Sequence, residues 1–166
     1  TLSDGSKINV AFGESERLRR LRRKLNRQEK GSNKYNKTKE LIKRELEKNT
    51  RRKNDAANKI VHELAKNERI FFQDENISAW KNKKSKARGS KKIHKGILGR
   101  VKSRLKTLDN AVCLDRFEPT TQLCVCGVKN KHTLDKRVYT CACGYTEDRD
   151  VHSASNMIRI GSALEQ

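Results

Sequence analysis

Two short strings, "LCVCG" at 123–127 and "TCACG" at 140–144, constrain this chain more than any other feature. Each sets two cysteines one residue apart and follows them with a glycine, Gly127 or Gly144. Cys124, Cys126, Cys141 and Cys143 thus place four of the five cysteines within 20 residues. A glycine after the pair lets the backbone turn back and aim amides at the sulfurs, which a Cβ would hinder. Four thiolates on two such turns, with a strand at "RVYT" between them, match the tetrahedral preference of structural zinc. The commoner ribbon has two residues inside each pair, and the single residue here tightens the bite. Disulfides are a competing reading, but a bridge between i and i+2 is strained and no secretory signal is present. A degenerate site that holds no metal is a third. His132 and His152 could substitute as ligands, although a surface histidine is the plainer reading of each. Cys113, in an apolar strand, is expected in the core.

The charge is as uneven as the cysteines. The formal net charge is +20 over 166 residues. Residues 14–67 carry 19 Lys and Arg against 8 acids, and residues 81–106 carry 12 against none. Residues 107–166 are close to neutral, with 7 basic and 8 acidic residues. Clustered positive charge of this size favours a polyanion, above all nucleic acid. A membrane surface fits less well, because the long helical patterns show only a thin Leu/Ile stripe. The longest apolar run is Ala111 to Leu114, too short for a transmembrane span or a secretory core. Hydrophobic residues make up 33%, so the core must be modest.

The pattern along the chain predicts an α/β layer. "TLSDGSKINVAF" reads as a hairpin already under way, turning at Asp4-Gly5. Because the chain opens at Thr1 inside that hairpin, it is expected to be part of a longer protein. Ser15 should cap a helix over 15–29 with Leu18, Leu21 and Leu25 on one face. "KGSN" breaks it, and a second helix follows over 33–67 with Ile42, Leu46, Ile60 and Leu64 apolar, so that 14–67 forms a basic helical arm. "RIFFQDEN" is a short strand ending in acids, and 81–93 a basic loop. A helix over 94–107 should turn Ile97, Leu98, Val101 and Leu105 inward. "NAVCLDRF" is another strand, ended by Pro119. A last helix should run from Asp150 or Val151 to Ile160.

Two acidic clusters stand out against this basic background. "QDEN" supplies Asp74 and Glu75, and "EDRD" supplies Glu147, Asp148 and Asp150. Unbalanced carboxylates repel, so such a grouping points to a hard cation. Two magnesium ions held by acids would activate a water for phosphodiester cleavage. The plainer readings are a helix cap or dipole partner for Asp148 or Asp150, and a solvent-exposed strand end for Asp74 and Glu75.

Taken in order, "QDEN" with "ISAW", "HKGILGRVKSRLKT", "RFEPTTQLCVCG", "RVYTCACG" and "DRDVHSASNMI" resemble the C-terminal half of the TnpB proteins of insertion sequences. They resemble equally the miniature type V CRISPR effectors. The resemblance covers nearly the whole chain and is most specific from Pro119 to Ile158. It implies an α/β fold: a partial RuvC-like, RNase H-type domain with a long basic helical hairpin and an inserted zinc ribbon. The implied division is a nuclease core over 1–119, the ribbon over 120–146 and a final nuclease segment over 147–166. It implies an RNA-guided, magnesium-dependent DNA endonuclease with structural zinc on Cys124, Cys126, Cys141 and Cys143. Its partners would be DNA and guide RNA, with no membrane, in the cytoplasm of a bacterium or archaeon and associated with the nucleoid. Asp150 matches the last catalytic aspartate. The middle catalytic acid falls on Glu75, with Asp74 second; an ungapped comparison would place Gln73 there. Lys83, Lys84, Lys86, Arg88, Lys91, Lys92 and Arg149 are the expected nucleic-acid contacts. Trp80 could stack on a base, although core packing is the plainer reading. The family's first catalytic aspartate precedes the opening hairpin, so this stretch alone is expected to bind nucleic acid and cut poorly. The alternative is a non-catalytic zinc-ribbon binder. A ribbon protein of the translation or transcription machinery would leave both acidic clusters unexplained. "Transposase" is the older label for such proteins, and nothing in the sequence shows strand-transfer or DNA-recombination chemistry.

Overall fold

The computed structural model describes residues 1–10, 12–77, 96–133 and 135–165. Among them it forms four helices and two two-stranded sheets, a small α/β arrangement. The basic loop with Lys83, Lys84, Lys86, Arg88, Lys91 and Lys92, and also Trp80, lies outside the described residues. No described helix is long and apolar enough to cross a membrane. The chain divides into two units: residues 10–63 with 78–101, and residues 1–9, 64–77 and 102–166.

The first unit is the helical arm. Helix α1 (Glu16–Asn26) begins where expected, because the Ser15 hydroxyl accepts the Leu18 amide at 3.2 Å. Glu16 in its first turn and Arg23 and Lys24 in its last complement the helix dipole. Gly31, at φ +89°, makes the reversal, and Ser32 then accepts the Tyr35 amide at 3.2 Å to start α2 (Asn33–Leu64). Arg17 reaches Glu45 at 3.3 Å, so the two helices fold back as a hairpin. The apolar stripe differs from expectation. Leu18, Thr38, Ala57 and Val61 are buried, while Leu46 is exposed. With 32 residues, α2 is about 48 Å long, longer than the 11-residue α1 can cover, so part of its stripe faces solvent.

The second unit holds the strands. β1 (Ile70–Gln73) pairs in parallel with β2 (Ala111–Leu114), Ile70 opposite Ala111 and Gln73 opposite Leu114. Asn110 steadies the entry to both strands by donating to the Asn67 and Ala65 carbonyls at 2.7 and 3.3 Å. Helix α3 (Leu98–Leu105) lies in the connection between the strands, as a parallel pair requires. Ile97, Val101 and Leu105 are buried, but Leu98, in the first turn of the helix, is exposed although helical spacing puts it on the face of Val101 and Leu105. Cys113 is also exposed rather than in the core, since strand alternation sends Leu114 inward at 1% exposure.

β3 (Val138–Thr140) and β4 (Thr146–Asp148) form the second, antiparallel sheet, Tyr139 opposite Glu147. Helix α4 (Arg149–Leu164) follows at once and runs four residues beyond the expected end. It packs on all four strands. The opening hairpin is only half realised. Its turn forms, with Gly5 at φ +82° and the Leu2 amide donating to the Ser6 carbonyl at 2.9 Å. No described strand flanks it, because a turn is local whereas a strand needs cross-strand partners.

One contact fixes how closely α4 approaches β1. A Cβ on Gly161 would lie 2.1 Å from the Phe71 ring. Gly161→Ala should therefore lower stability by about 1–3 kcal/mol, read as an earlier chemical-denaturation midpoint, despite alanine's better helix propensity.

Candidate metal centre and the neighbouring acids

The two knuckles fold as near copies. The Cys124 amide donates to the Val128 carbonyl at 2.9 Å and the Gly127 amide to the Cys124 carbonyl at 3.0 Å. The Cys141 amide donates to Tyr145 at 2.9 Å and the Gly144 amide to Cys141 at 3.0 Å. Both turns close through a left-handed residue, Gly127 at φ +85° and Gly144 at φ +89°, the conformation that selects glycine. One residue between the cysteines is therefore enough.

All four sulfurs lie within 4.8 Å of one another. Two approaches cross between the knuckles: Cys124 to Cys143 and Cys126 to Cys141, each 3.7 Å. A tetrahedron with metal–sulfur bonds of about 2.3 Å has sulfur–sulfur edges of about 3.8 Å. These two edges match that value, and all five cysteines are free thiols. The charge balance agrees. The Cys143 amide draws the Cys141 thiol down to about 6. The Tyr145 amide favours the Cys143 thiolate too, yet the sulfurs of Cys141 and Cys126 beside it push Cys143 up to about 12. The metal-free cluster thus resists holding several thiolates at once, and a divalent cation would relieve that.

Residues around the cluster escaped the sequence reading. The Asn130 amide nitrogen donates to the Cys141 sulfur at 3.1 Å and to the Tyr139 hydroxyl at 3.3 Å. Tyr139 is fully buried and its ring stacks on His152 at 3.7 Å. His152 is 1% exposed, so it is neither a surface histidine nor a cysteine substitute; burial lowers its pKa. His132 meets the Tyr139 ring edge-on.

The acids are less gathered than expected. Among the described residues the four cysteines are the group of three or more metal-ligating side chains brought close together; Asp74, Glu75 and Asp150 do not form one. Asp74, just past β1, accepts Lys106 at 2.8 Å and Arg116 at 3.3 Å, and Lys106 foremost lowers its pKa. Glu75 accepts Lys102 at 2.8 Å, and that lysine side chain is only 13% exposed. Glu147 accepts the Tyr145 hydroxyl. Asp148 is the N-cap of α4, accepting the Asp150 amide at 2.8 Å, and also pairs with Lys7 at 3.3 Å. Asp150 is exposed in the first turn of α4, and Arg149 donates to the Thr133 carbonyl at 3.5 Å.

Gln73 is fully engaged in structure. Its amide nitrogen donates to the carbonyls of Glu118, Asp115 and Arg116 at 2.9, 3.1 and 3.3 Å, and its oxygen accepts the Thr120 hydroxyl at 3.2 Å. The Ser153 hydroxyl bonds that of Thr120 at 3.0 Å, and Asn156 donates to the Thr120 and Leu123 carbonyls at 2.7 Å each. One buried polar chain therefore joins the end of β1, the root of the first knuckle and α4.

Residues 108–157 match the Cas12f1-like TNB domain, a segment that contains every cysteine and Asp150. The chain is 29% identical over 174 residues, and 98% of its own length, to a Streptomyces pristinaespiralis protein named "Putative RNA-guided DNA endonuclease". It spans 42% of that relative's length.

Two outcomes follow from this geometry. Gln73→Glu sets a carboxylate against three carbonyls and should cost about 1–3 kcal/mol of stability, measured by denaturant unfolding. Zinc titrated into the metal-free protein at pH 7 should release fewer than four protons per ion, since Cys141 is already ionised above about 6. Binding should weaken as pH falls, because every thiolate must lose its proton to ligate. Calorimetry in buffers of different ionisation enthalpy measures both.

Proposed function

We propose that this chain is the zinc-ribbon and acid-bearing part of a TnpB/Cas12f-like, RNA-guided DNA endonuclease. Zinc would sit on Cys124, Cys126, Cys141 and Cys143 as a structural ion of an inserted ribbon. The observation that carries the reading is the convergence of these four sulfurs to within 4.8 Å of one another, with two cross-knuckle approaches of 3.7 Å, inside the segment that matches the TNB domain. The parallel β1–β2 pair with its helical crossover is compatible with a RuvC-like, RNase H-type core. Glu75 and Asp150, with Asp74 second to Glu75, are the proposed magnesium ligands. Magnesium would supply Lewis-acid stabilisation of the phosphate and an activated water. The proposed partners are target DNA and guide RNA. The basic arm, Lys83, Lys84, Lys86, Arg88, Lys91, Lys92 and Arg149 would hold their backbones by charge without reading sequence. The proposed setting is the cytoplasm of a bacterium or archaeon, at the nucleoid.

A second reading, a non-catalytic nucleic-acid binder, draws on one observation. Each proposed acid beside β1 already has an internal cation: Lys102 on Glu75, and Lys106 and Arg116 on Asp74. Magnesium would have to compete with Lys102 for the Glu75 carboxylate.

Cleavage and binding of labelled DNA, with and without guide RNA and magnesium, decide between the two. The chain and a version extended upstream to the relative's length are compared. Under the first reading the extended protein cuts, and Glu75→Ala or Asp150→Ala abolishes cutting while DNA affinity stays within about twofold. Under the second neither version cuts, and both bind with an affinity that falls steeply as salt rises.

A further inference from the structure

We propose that Asn130 is the outer-sphere link that ties metal at the four cysteines to the start of helix α4. This rests on the zinc reading above and adds a residue and a coupling to it. The amide nitrogen of Asn130 faces two acceptors. One is the Cys141 sulfur at 3.1 Å, and the other is the Tyr139 hydroxyl oxygen at 3.3 Å. That hydroxyl gives its own proton to the Gln122 carbonyl at 3.2 Å, so its oxygen is free to accept. Two acceptors and two amide hydrogens leave one orientation for the side chain. The Asn130 backbone is held as well, its amide donating to the same Gln122 carbonyl at 2.8 Å. The donor is therefore positioned before any metal arrives.

From Tyr139 the link continues through contact. The fully buried ring lies on His152 at 3.7 Å with an interplanar angle of 18°. His152 is 1% exposed and sits in the first turns of α4, two residues after Asp150. Its ring nitrogen lies 3.0 Å from the Asn156 amide, which holds the Thr120 and Leu123 carbonyls. A donor to a ligating sulfur withdraws charge from it and fixes its direction. Loss of such partners commonly weakens metal binding about 10–100-fold. Because the same amide also steadies Tyr139, metal occupancy and the order of the first turns of α4 become linked.

The test uses the zinc-loaded chain, Asn130→Ala and Asn130→Asp. Metal content is measured first, then zinc transfer to a chelator, the sulfur-to-cobalt charge-transfer band after cobalt substitution, and amide exchange over residues 149–156. Asn130→Ala should keep one ion per chain, release it about 10–100-fold faster and shift the cobalt band. Asn130→Asp should release it faster still, because a carboxylate of equal size opposes the thiolate; a packing role would not separate the two variants. Exchange over 149–156 should quicken in zinc-loaded Asn130→Ala and in the chelator-stripped wild type. Wild-type release from Asn130→Ala, equal release from both variants, or α4 protection indifferent to stripping would each overturn the link. A wild-type chain that takes up no zinc would instead overturn the metal reading itself, and metal content shows that before any variant is made.

Discussion

Helix α4 is the element on which the strand-bearing unit depends. Two-stranded sheets are marginal by themselves in water, and both sheets here have only two strands. They share α4, which packs on all four strands. Its buried side chains are unusual for so central a helix, because His152, Ser153 and Asn156 are polar and Gly161 is bare. Gly161 brings the helix against Phe71. Asn156 instead satisfies the Thr120 and Leu123 carbonyls on the segment that leads from β2 into the first knuckle, and Ser153 bonds the Thr120 hydroxyl. A core built this way needs few apolar residues, which suits a chain with 33% hydrophobic content. It also depends on complete hydrogen bonding, since an unsatisfied buried amide or hydroxyl is costly.

Electrostatics divide the chain differently. The positive excess sits in the helical arm and the 81–106 segment, while 107–166 is nearly neutral. Around β1 the cations come back as specific partners, with Lys102 on Glu75 and Lys106 and Arg116 on Asp74. Asp148 and Glu147 are likewise taken by a helix cap and a tyrosine hydroxyl. Asp150 differs from these acids, standing exposed in the first turn of α4. Any hard cation bound here would compete with lysine for the β1 acids.

Much of the local structure was readable from residues alone. Ser15, Gly31 and the Asp4-Gly5 turn act within a few residues, and they form as their chemistry predicts. The strands at 70–73 and 111–114 were recognisable as short apolar runs between turn signals. The four cysteines were recognisable because two matched turns must converge to be useful, and their sulfurs do converge. Burial was less readable. Leu46 and Leu98 carry the right hydrophobicity at helical spacing yet are exposed, and Cys113 is exposed on a strand whose neighbour Leu114 is buried. Each depends on whether another element covers that face, which periodicity does not encode.

The sequence by itself determined the grouping of the four cysteines, the helix starts, the basic arm and the presence of two acidic clusters. All are local or compositional, set by side-chain chemistry within one or two turns of chain. Tertiary structure alone decided the roles of Gln73, Thr120, Asn130, Tyr139 and His152. They act across separations of 9 to 47 residues, through hydrogen bonds and ring contacts. A lone amide or hydroxyl looks the same in sequence whether it faces water or a buried carbonyl. Only the packing of α4 against both sheets removes the water and sets the partners of these groups.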